Sequence, residues 1–222
     1  MSAILYSIRN SDHIGVFATA TDQYIFLGAG LGNRDRKVLS ESLSVDCVSI
    51  TVSYSDLVGI FVRANSNGIA ISNLMEKSEE EALRKQGLDI NIGIVDSELN
   101  AIGNNVLAND KIAIVHPEYD AKAIRQIEDI LGVEVIKAPD KKFKTVGASN
   151  ILTNKGLVLN NRSTESGEET MARATHFKPV RSTANTGSIY TGIGVIANSK
   201  GIVAGRGTTA FELERIIEGL DL

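Results

Sequence analysis

The chain has 222 residues, of which 43% are hydrophobic and 23% charged, and its formal net charge is −4 at pH 7. This acidic balance argues against a general nucleic-acid-binding protein, because such proteins normally carry an excess of Lys and Arg. The single cysteine, Cys47, excludes an intrachain disulfide framework and fits a reducing compartment. The N-terminus lacks a basic region followed by an apolar run, and no stretch approaches about 18 consecutive apolar residues, so we expect a cytoplasmic protein with neither signal peptide nor membrane span.

The predicted elements recur in a fixed order along the chain. A strand beginning near a glycine, such as "VGIFVRA" or "IGNNVLA", is followed by a tight turn: "NSNG", "NDK", "TNKG" or "NSKG". Asn and Gly tolerate the positive φ angles that hairpin turns require. A second strand follows ("IAIS", "IAIVH", "LVLN", "IVAG"), then a helix, then a third strand such as "VDCVSITV" or "LDINIGIV". Each unit is therefore predicted to be a ββαβ module.

The predicted helices carry apolar stripes and recognisable ends. "DAKAIRQIEDIL" places Ile124, Ile127 and Leu131 on one face, and "TTAFELERIIEGL" begins with a capping box of Thr209 and Glu212. In the latter helix we expect the buried stripe to consist of Leu213, Ile216, Ile217 and Leu220. The charged stretch "EKSEEEALRKQG" is acidic at its start and basic at its end, which favours a helix with a solvated face.

Two columns of residues show that the module repeats about every 44 residues. Glycines stand at positions 15, 59, 103, 147 and 192, and each follows a β-branched residue. An apolar residue lies 24 positions after each of these glycines: Leu39, Leu83, Ile127, Met171 and Ile216. Agreement of two independent columns indicates a five-fold internal repeat. A single module is too small to bury its own core, so five are predicted to share one.

The ends of the chain predict that the five modules close into a ring. The fifth module ends after its helix and lacks a third strand, whereas the N-terminus supplies a surplus strand, "AILYSI" at Ala3–Ile8, in the matching register. Pairing of the two would remove open sheet edges. We therefore predict residues 1–222 to be one α/β domain, a five-fold pseudosymmetric propeller closed by its N-terminal strand.

The whole chain resembles a known family. The five-fold α/β ring is similar to the pentein fold, and three stretches resemble translation initiation factor six: "LNAIGNNVLANDKIAIVHPE", "TVGASNILTNKGLVL" and "TANTGSIYTGIGVIANSKGIVAG". The resemblance implies a monomeric protein that binds the large ribosomal subunit, prevents the small subunit from joining, and takes part in large-subunit maturation. It implies no catalysis, cofactor, metal, DNA or membrane. Because the chain ends after the fifth helix, it resembles an archaeal member.

The resemblance also implies where the ribosome is contacted. The family's partner is a ribosomal protein beside the sarcin–ricin loop, with some rRNA. Gly103 and Asn104 match the family's Gly–Asn pair, and Gly15 matches its first-repeat glycine. Register within the repeat adds Ile60, Ser149 and Tyr190, although some relatives carry a basic residue at Ile60 and an aromatic one at Ser149. Asn105 is added with Asn104, because the repeat itself does not require Asn at this place. The competing interpretation is that the repeat itself requires the glycines, for close backbone packing.

Other functions remain open at this stage. Enzymes of the pentein fold modify guanidine groups with a Cys nucleophile, His and carboxylates; here Cys47 lies in an apolar strand, and His13, His116 and His176 occupy unrelated repeat positions without metal-ligand spacing. "FLGAGLGN" at Phe26–Asn33 is a broken dinucleotide fingerprint, and "GRGTT" lacks a phosphate-loop Lys. The basic residues of "DKKFK" at Asp140–Lys144 either meet rRNA or lie in a solvated loop. A scaffold ring for another macromolecule is the last alternative.

Overall fold

The computed structural model describes residues 2–139 and 143–222, and within these ranges the chain forms five three-stranded sheets. The strands are β1 (Ser2–Tyr6), β2 (Ala18–Ala20), β3 (Tyr24–Gly28), β4 (Asp46–Ile50), β5 (Val62–Ala64), β6 (Gly68–Ser72), β7 (Asn91–Val95), β8 (Val106–Ala108), β9 (Ile112–Val115), β10 (Glu134–Lys137), β11 (Ile151–Leu152), β12 (Leu157–Asn160), β13 (Val180–Ser182), β14 (Val195–Ala197) and β15 (Gly201–Gly205).

Long and single-turn helices alternate between these strands. The longer helices are α1 (Asn33–Leu43), α3 (Lys77–Arg84), α5 (Ala121–Leu131), α7 (Glu165–Thr175) and α9 (Ala210–Leu220). The single-turn helices are α2 (Val58–Phe61), α4 (Ile102–Asn105), α6 (Val146–Ser149) and α8 (Thr191–Gly194), and a 3₁₀ turn at Ile14–Val16 takes their place in the first module. Among the described residues, none of the helices combines the length and the hydrophobicity needed to span a membrane.

Each sheet has the same mixed topology. An antiparallel hairpin supplies two strands, and a parallel strand reached through the long helix joins the second of them, as in β2-β3-β4 and β5-β6-β7. The apolar residues that lie 24 positions after the repeat glycines form the buried side of the five longer helices. All are at most 4% exposed: Leu39, Leu83, Ile127, Met171 and Ile216. The predicted ββαβ order and the five-fold repeat are confirmed.

The ring closes through the N-terminal strand, as predicted. β1 pairs with β15 in parallel, from Ser2 opposite Gly201 to Tyr6 opposite Gly205. β4 pairs with β3 in the same way, from Asp46 opposite Tyr24 to Ile50 opposite Gly28. β1 therefore fills the place of the strand that the fifth module lacks.

The segments that contain the repeat glycines differ from the prediction. "VGIFVRA" and "IGNNVLA" were expected to be strands throughout, but their first four residues form a single helical turn and only the last three extend. The amide of Ile60 donates to the carbonyl of Leu57, and the amide of Asn104 donates to that of Ala101. Hydrophobic periodicity cannot distinguish a four-residue apolar strand from one helical turn, which is why the sequence pattern was misleading here.

The helix stripes are confirmed in part. Ile127 and Leu131 of α5 are fully buried, but Ala123 rather than Ile124 completes the buried face. In α9 Ile216 and Leu220 are buried, whereas Leu213 and Ile217 are only partly so. The predicted capping box of Thr209 and Glu212 is present.

The broken dinucleotide fingerprint spans the end of β3, a short loop and the first residue of α1. The amide of Gly30 donates to the Asp56 carboxylate at 2.8 Å, and Arg9 forms an ion pair with the same carboxylate at 2.6 Å. The backbone donor that a phosphate would need is therefore already bonded to an anion of the protein itself.

Candidate functional site

The five repeat glycines meet around the axis of the ring. Each Cα packs against the carbonyl oxygen of the preceding module's glycine. A Cβ added at Gly15, Gly59, Gly103, Gly147 or Gly192 would lie 2.4, 1.8, 2.0, 2.3 or 2.1 Å from the glycine carbonyl oxygen of, respectively, Gly192, Gly15, Gly59, Gly103 or Gly147. Side chains at this column would push adjacent modules apart. Close packing of the modules thus explains the recurrence of these glycines.

The single-turn helices and the 3₁₀ turn present one end of the ring to solvent, together with the turns that precede them; we call this end the glycine face. Ile60 in α2 and Asn104 in α4 are partly exposed there, and Tyr190, immediately before α8, is 46% exposed. These three predicted contact residues share a surface.

The other four predicted contact residues are buried. Gly15 and Gly103 lie in the glycine ring. Asn105 is 5% exposed and donates to the Leu99 carbonyl at 3.5 Å, and Ser149 is fully buried and donates to the Thr145 carbonyl at 3.0 Å. Their side chains support the short helices from inside. Contact with a partner stays a prediction for all seven residues, and the exposed three are the ones whose side chains reach the surface.

Sequence reasoning missed a second group of residues on the glycine face. β4 runs parallel to β3, and both end at the glycine face, so the turn after β4 projects there. In this turn Ser53 and Tyr54 adopt φ angles of 53° and 58°, and Tyr54 is 74% exposed. The polar stretch "VSYSD" indicates a turn, but sequence alone does not say that it would lift an aromatic side chain into solvent.

Two glutamates brace the turns of the glycine face. Glu79 is 8% exposed, and its carboxylate accepts hydrogen bonds from the amides of Ser53 and Tyr54 at 2.8 Å and from the Thr51 hydroxyl. Glu212 occupies the same repeat position in the fifth module and accepts from the Gly187 amide and the Thr183 hydroxyl, both at 2.7 Å. The predicted solvated face of α3 is therefore wrong at Glu79, because the neighbouring turn covers it.

These contacts change the acidity of both carboxyl groups. Burial by itself would raise the pKa of Glu79, but the hydrogen bonds from Thr51, Glu76, Tyr54 and Ser53 outweigh it and hold the pKa below its usual value. The pKa of Glu212 is lowered against its burial in the same manner, by Thr209, Thr183 and Gly187. A lowered folded-state pKa contributes stability above the unfolded value of about 4.3, and this contribution is lost as the pH falls through the folded-state pKa.

We expect Glu79→Gln to destabilise the ring by about 1.5–3 kcal/mol at pH 7, because a charged acceptor of several hydrogen bonds is lost. The variant should also lose less stability than the unmodified protein between pH 5 and pH 3. Urea unfolding across this range measures both effects. Glu81→Gln, on the exposed side of the same helix, is the matched control and should stay within about 0.5 kcal/mol. Equal stability of the two variants would contradict the bracing role.

The opposite end of the ring, which we call the hairpin face, is formed by the turns of the five hairpins. The Asn65 side chain accepts from the amides of Asn67 and Gly68 in its own turn and donates to the Asn109 carbonyl of the next module at 3.0 Å. Asn109 donates likewise to the Thr153 carbonyl, and Asn198 to that of Thr21. The recurrent asparagine of the hairpin phrase thus both closes a turn and joins neighbouring modules.

The candidate residues of the enzyme hypothesis do not converge. Cys47 lies half-buried in β4, an outer strand of its sheet; burial raises the pKa of its thiol, and its Sγ donates to the Arg36 carbonyl. His13 and His176 are exposed, the latter at the left-handed C-terminus of α7, while His116 is buried beside Tyr119. Within residues 2–139 and 143–222, no three His, Cys, Asp or Glu side chains are grouped to hold a metal ion.

The basic stretch "DKKFK" is described only in part, because Asp140–Lys142 lie outside the described residues. Lys144 forms an ion pair with Glu118. A contact of this stretch with rRNA stays a prediction.

Comparison with known proteins finds a family and relatives that match this chain over nearly its whole length. The model of the eIF-6 family matches residues 3–219. The chain belongs to the eIF-6 family. A protein called Translation initiation factor 6 from Picrophilus torridus is 34% identical over 214 residues, which cover 96% of this chain and 97% of that protein. Its namesake from Methanosarcina acetivorans is 37% identical over 213 residues, covering 96% and 95%. This eIF-6 family member thus has archaeal relatives over nearly its full length.

A solved structure overlaps with part of the ring. DDAH from Pseudomonas aeruginosa shares 13% sequence identity, with a TM-score of 0.48 over 78% of this chain and 70% of that one. The pentein-like architecture rests on the five sheets themselves. The eIF-6 family consists of translation factors rather than enzymes, so the guanidine-modifying alternative based on Cys47 is set aside.

Proposed function

We propose that this eIF-6 family member binds the large ribosomal subunit through its glycine face and thereby prevents the small subunit from joining. The observation that carries the proposal is the family match over residues 3–219, combined with the exposure of Asn104 and Tyr190 on one face of the ring. The same binding would account for a part in large-subunit maturation. The protein would act in the cytoplasm as a monomer and would need no cofactor.

The composition of the glycine face supports a partner that is mostly protein. Val16, Ile60 and Ile193 are partly exposed apolar residues around its centre, and Asn104 is the polar residue among them. Tyr54 and Tyr190 stand further out. Exposed apolar residues together with aromatic side chains that can act as anchors are typical of protein–protein interfaces. We infer that a ribosomal protein beside the sarcin–ricin loop is the main contact and that rRNA contributes less, as the net charge of −4 also favours.

The rigidity of the ring supports steric blocking rather than a conformational switch. The modules are joined at the glycine face by close backbone packing and at the hairpin face by asparagine hydrogen bonds. A preorganised surface loses little conformational entropy on binding. Bound through one face, the ring would fill the space that the small subunit needs.

Sedimentation of purified archaeal subunits through sucrose gradients tests the proposal. We expect the protein to migrate with the large subunit and to deplete assembled ribosomes, with a dissociation constant below about 1 µM. Free protein at the top of the gradient, with full subunit joining, would refute the function. That outcome would favour a scaffold ring for another macromolecule.

Asn104→Arg should weaken large-subunit binding at least about tenfold, or about 1.4 kcal/mol, because it introduces a long charged side chain at the centre of the face. Gln23→Arg adds the same charge to an exposed hairpin turn on the hairpin face and should leave binding unchanged. Fluorescence titration of labelled variants measures the two constants. If both substitutions weaken binding equally, general electrostatic repulsion and not the glycine face would explain the loss.

A further inference from the structure

A partly exposed arginine with a buried Nε lies inside the ring, and within the described residues it has no carboxylate partner. Arg63 in β5 points into the central channel, at a repeat position where the other modules place smaller or apolar residues: Thr19, Leu107, Ile151 and Ile196. Among the described residues, no carboxylate lies within ion-pair distance of its guanidinium. Burial lowers the pKa of Arg63 to about 10, which still leaves the group charged at pH 7.

The hydrogen bonds of Arg63 are incomplete on the side of the channel. One terminal nitrogen donates to the Gly103 carbonyl at 2.5 Å, but Nε has no hydrogen-bond partner within residues 2–139 and 143–222. Thr19 is 4% exposed, and in the same part of the chain its buried hydroxyl also has no hydrogen-bond partner. Both residues line the same cavity of about 40 Å³ between the glycine ring and the hairpin turns. Two unsatisfied buried donors and a net positive charge therefore border one small space.

The size of the cavity limits what can fill it. A single water needs roughly 10–15 Å³ of such volume, so the cavity holds a few atoms at most. Towards the hairpin face, the side-chain nitrogen of Asn154 donates to Asp22 at 2.8 Å and to Asp110 at 2.6 Å, which joins three hairpin turns. A nucleotide or guanidine substrate is too large, but a halide fits.

We propose that the central channel binds one small monovalent anion, represented by chloride, between the guanidinium of Arg63 and the hydroxyl of Thr19. A charge inside the ring with no opposite charge beside it is unfavourable, and a bound anion offsets the charge while accepting both free hydrogen bonds. Water would accept the hydrogen bonds but would leave the charge uncompensated. The anion acts as a structural ligand of the folded ring.

Thermal unfolding in sodium chloride and in sodium gluconate at equal ionic strength tests the site. A ligand of the folded state raises the midpoint, by about 3–5 °C when chloride is about tenfold above its dissociation constant. Arg63→Met should abolish this difference, and Thr19→Val, which removes only the hydroxyl, should reduce it. Arg125→Met changes the net charge identically on the exposed face of α5 and should retain the full difference. Crystals grown in bromide should show an anomalous peak beside Arg63.

Equal midpoints in the two salts, or a full chloride effect in Arg63→Met, would overturn the proposal and leave water as the occupant of the channel. If Arg63→Met does not fold, Thr19→Val and the bromide peak decide the question. An anomalous map without a channel peak counts against the site. These outcomes are independent of ribosome binding, which involves the outer surface of the glycine face.

Discussion

Gly59→Ala is expected to prevent the ring from closing and to cost at least about 3 kcal/mol of folding free energy. The new Cβ would lie 1.8 Å from the Gly15 carbonyl oxygen and 2.8 Å from that of Ala18. Both are backbone atoms of the adjacent module, so no side chain can turn away to make room. We expect little folded protein, or a midpoint of urea unfolding far below that of the unmodified chain.

Gly32→Ala is the matched control for this substitution. Gly32 lies at the start of α1 with φ −69°, and the nearest atom to an added methyl group would be an Asp35 carboxylate oxygen at 3.9 Å. The control should cost less than about 1 kcal/mol, the range of a changed helix cap. If Gly59→Ala were tolerated equally well, packing between the modules could not explain the glycine repeat.

Moving the N-terminal strand to the other end of the chain is expected to preserve the ring, whereas deleting it should not. Asp221 ends α9 in the left-handed conformation at φ 51°, as Ser44 ends α1 at φ 52°. Leu222 then corresponds to Val45 in the repeat, and Ser2 pairs with Gly201 as Asp46 pairs with Tyr24. Residue 2 can therefore follow Leu222 directly, without a linker.

The permutant starts at Arg9, within the exposed turn at Arg9–Asn10, and ends with residues 2–8 after Leu222. We expect circular dichroism and cooperative unfolding close to those of the unmodified chain. Deletion of residues 2–8 exposes the β15 edge and removes fully buried Ile8, which alone is worth about 2–5 kcal/mol, so aggregation is expected. Failure of the permutant together with survival of the deletion would contradict closure by β1.

The features set by the repeat were predictable from sequence. A 44-residue spacing identifies positions that must be equivalent in every module, so the glycine column, the buried helix column and the missing fifth strand all follow from it. Their physical causes, close backbone packing and shared burial, act identically five times. A repeat position that is ambiguous in one module can be assigned from the other four, so the prediction is more accurate than for a single copy.

Features that belong to a single module were harder to predict. Asn104 and Asn105 are adjacent and chemically identical, yet one faces solvent and the other is 5% exposed inside α4. Their difference in exposure depends on the single helical turn of α4, which the hydrophobic pattern predicts to be a strand. In the sequence Glu79 is one of several charged residues of α3 and is predicted to be solvated. In the fold the turn at Ser53–Tyr54 covers it and donates hydrogen bonds to its carboxylate. Such contacts between modules depend on tertiary structure and leave no local pattern.

The role of the glycine face in ribosome binding is tested most directly by photo-crosslinking to large subunits. A photoreactive phenylalanine analogue is placed at Tyr54, at Tyr190 or, on the hairpin face, at Gln23; all three side chains are exposed. Our account predicts crosslinks to a large-subunit protein from Tyr54 and Tyr190 and none from Gln23. Crosslinks from Gln23 alone would show that the opposite face docks and would contradict the account.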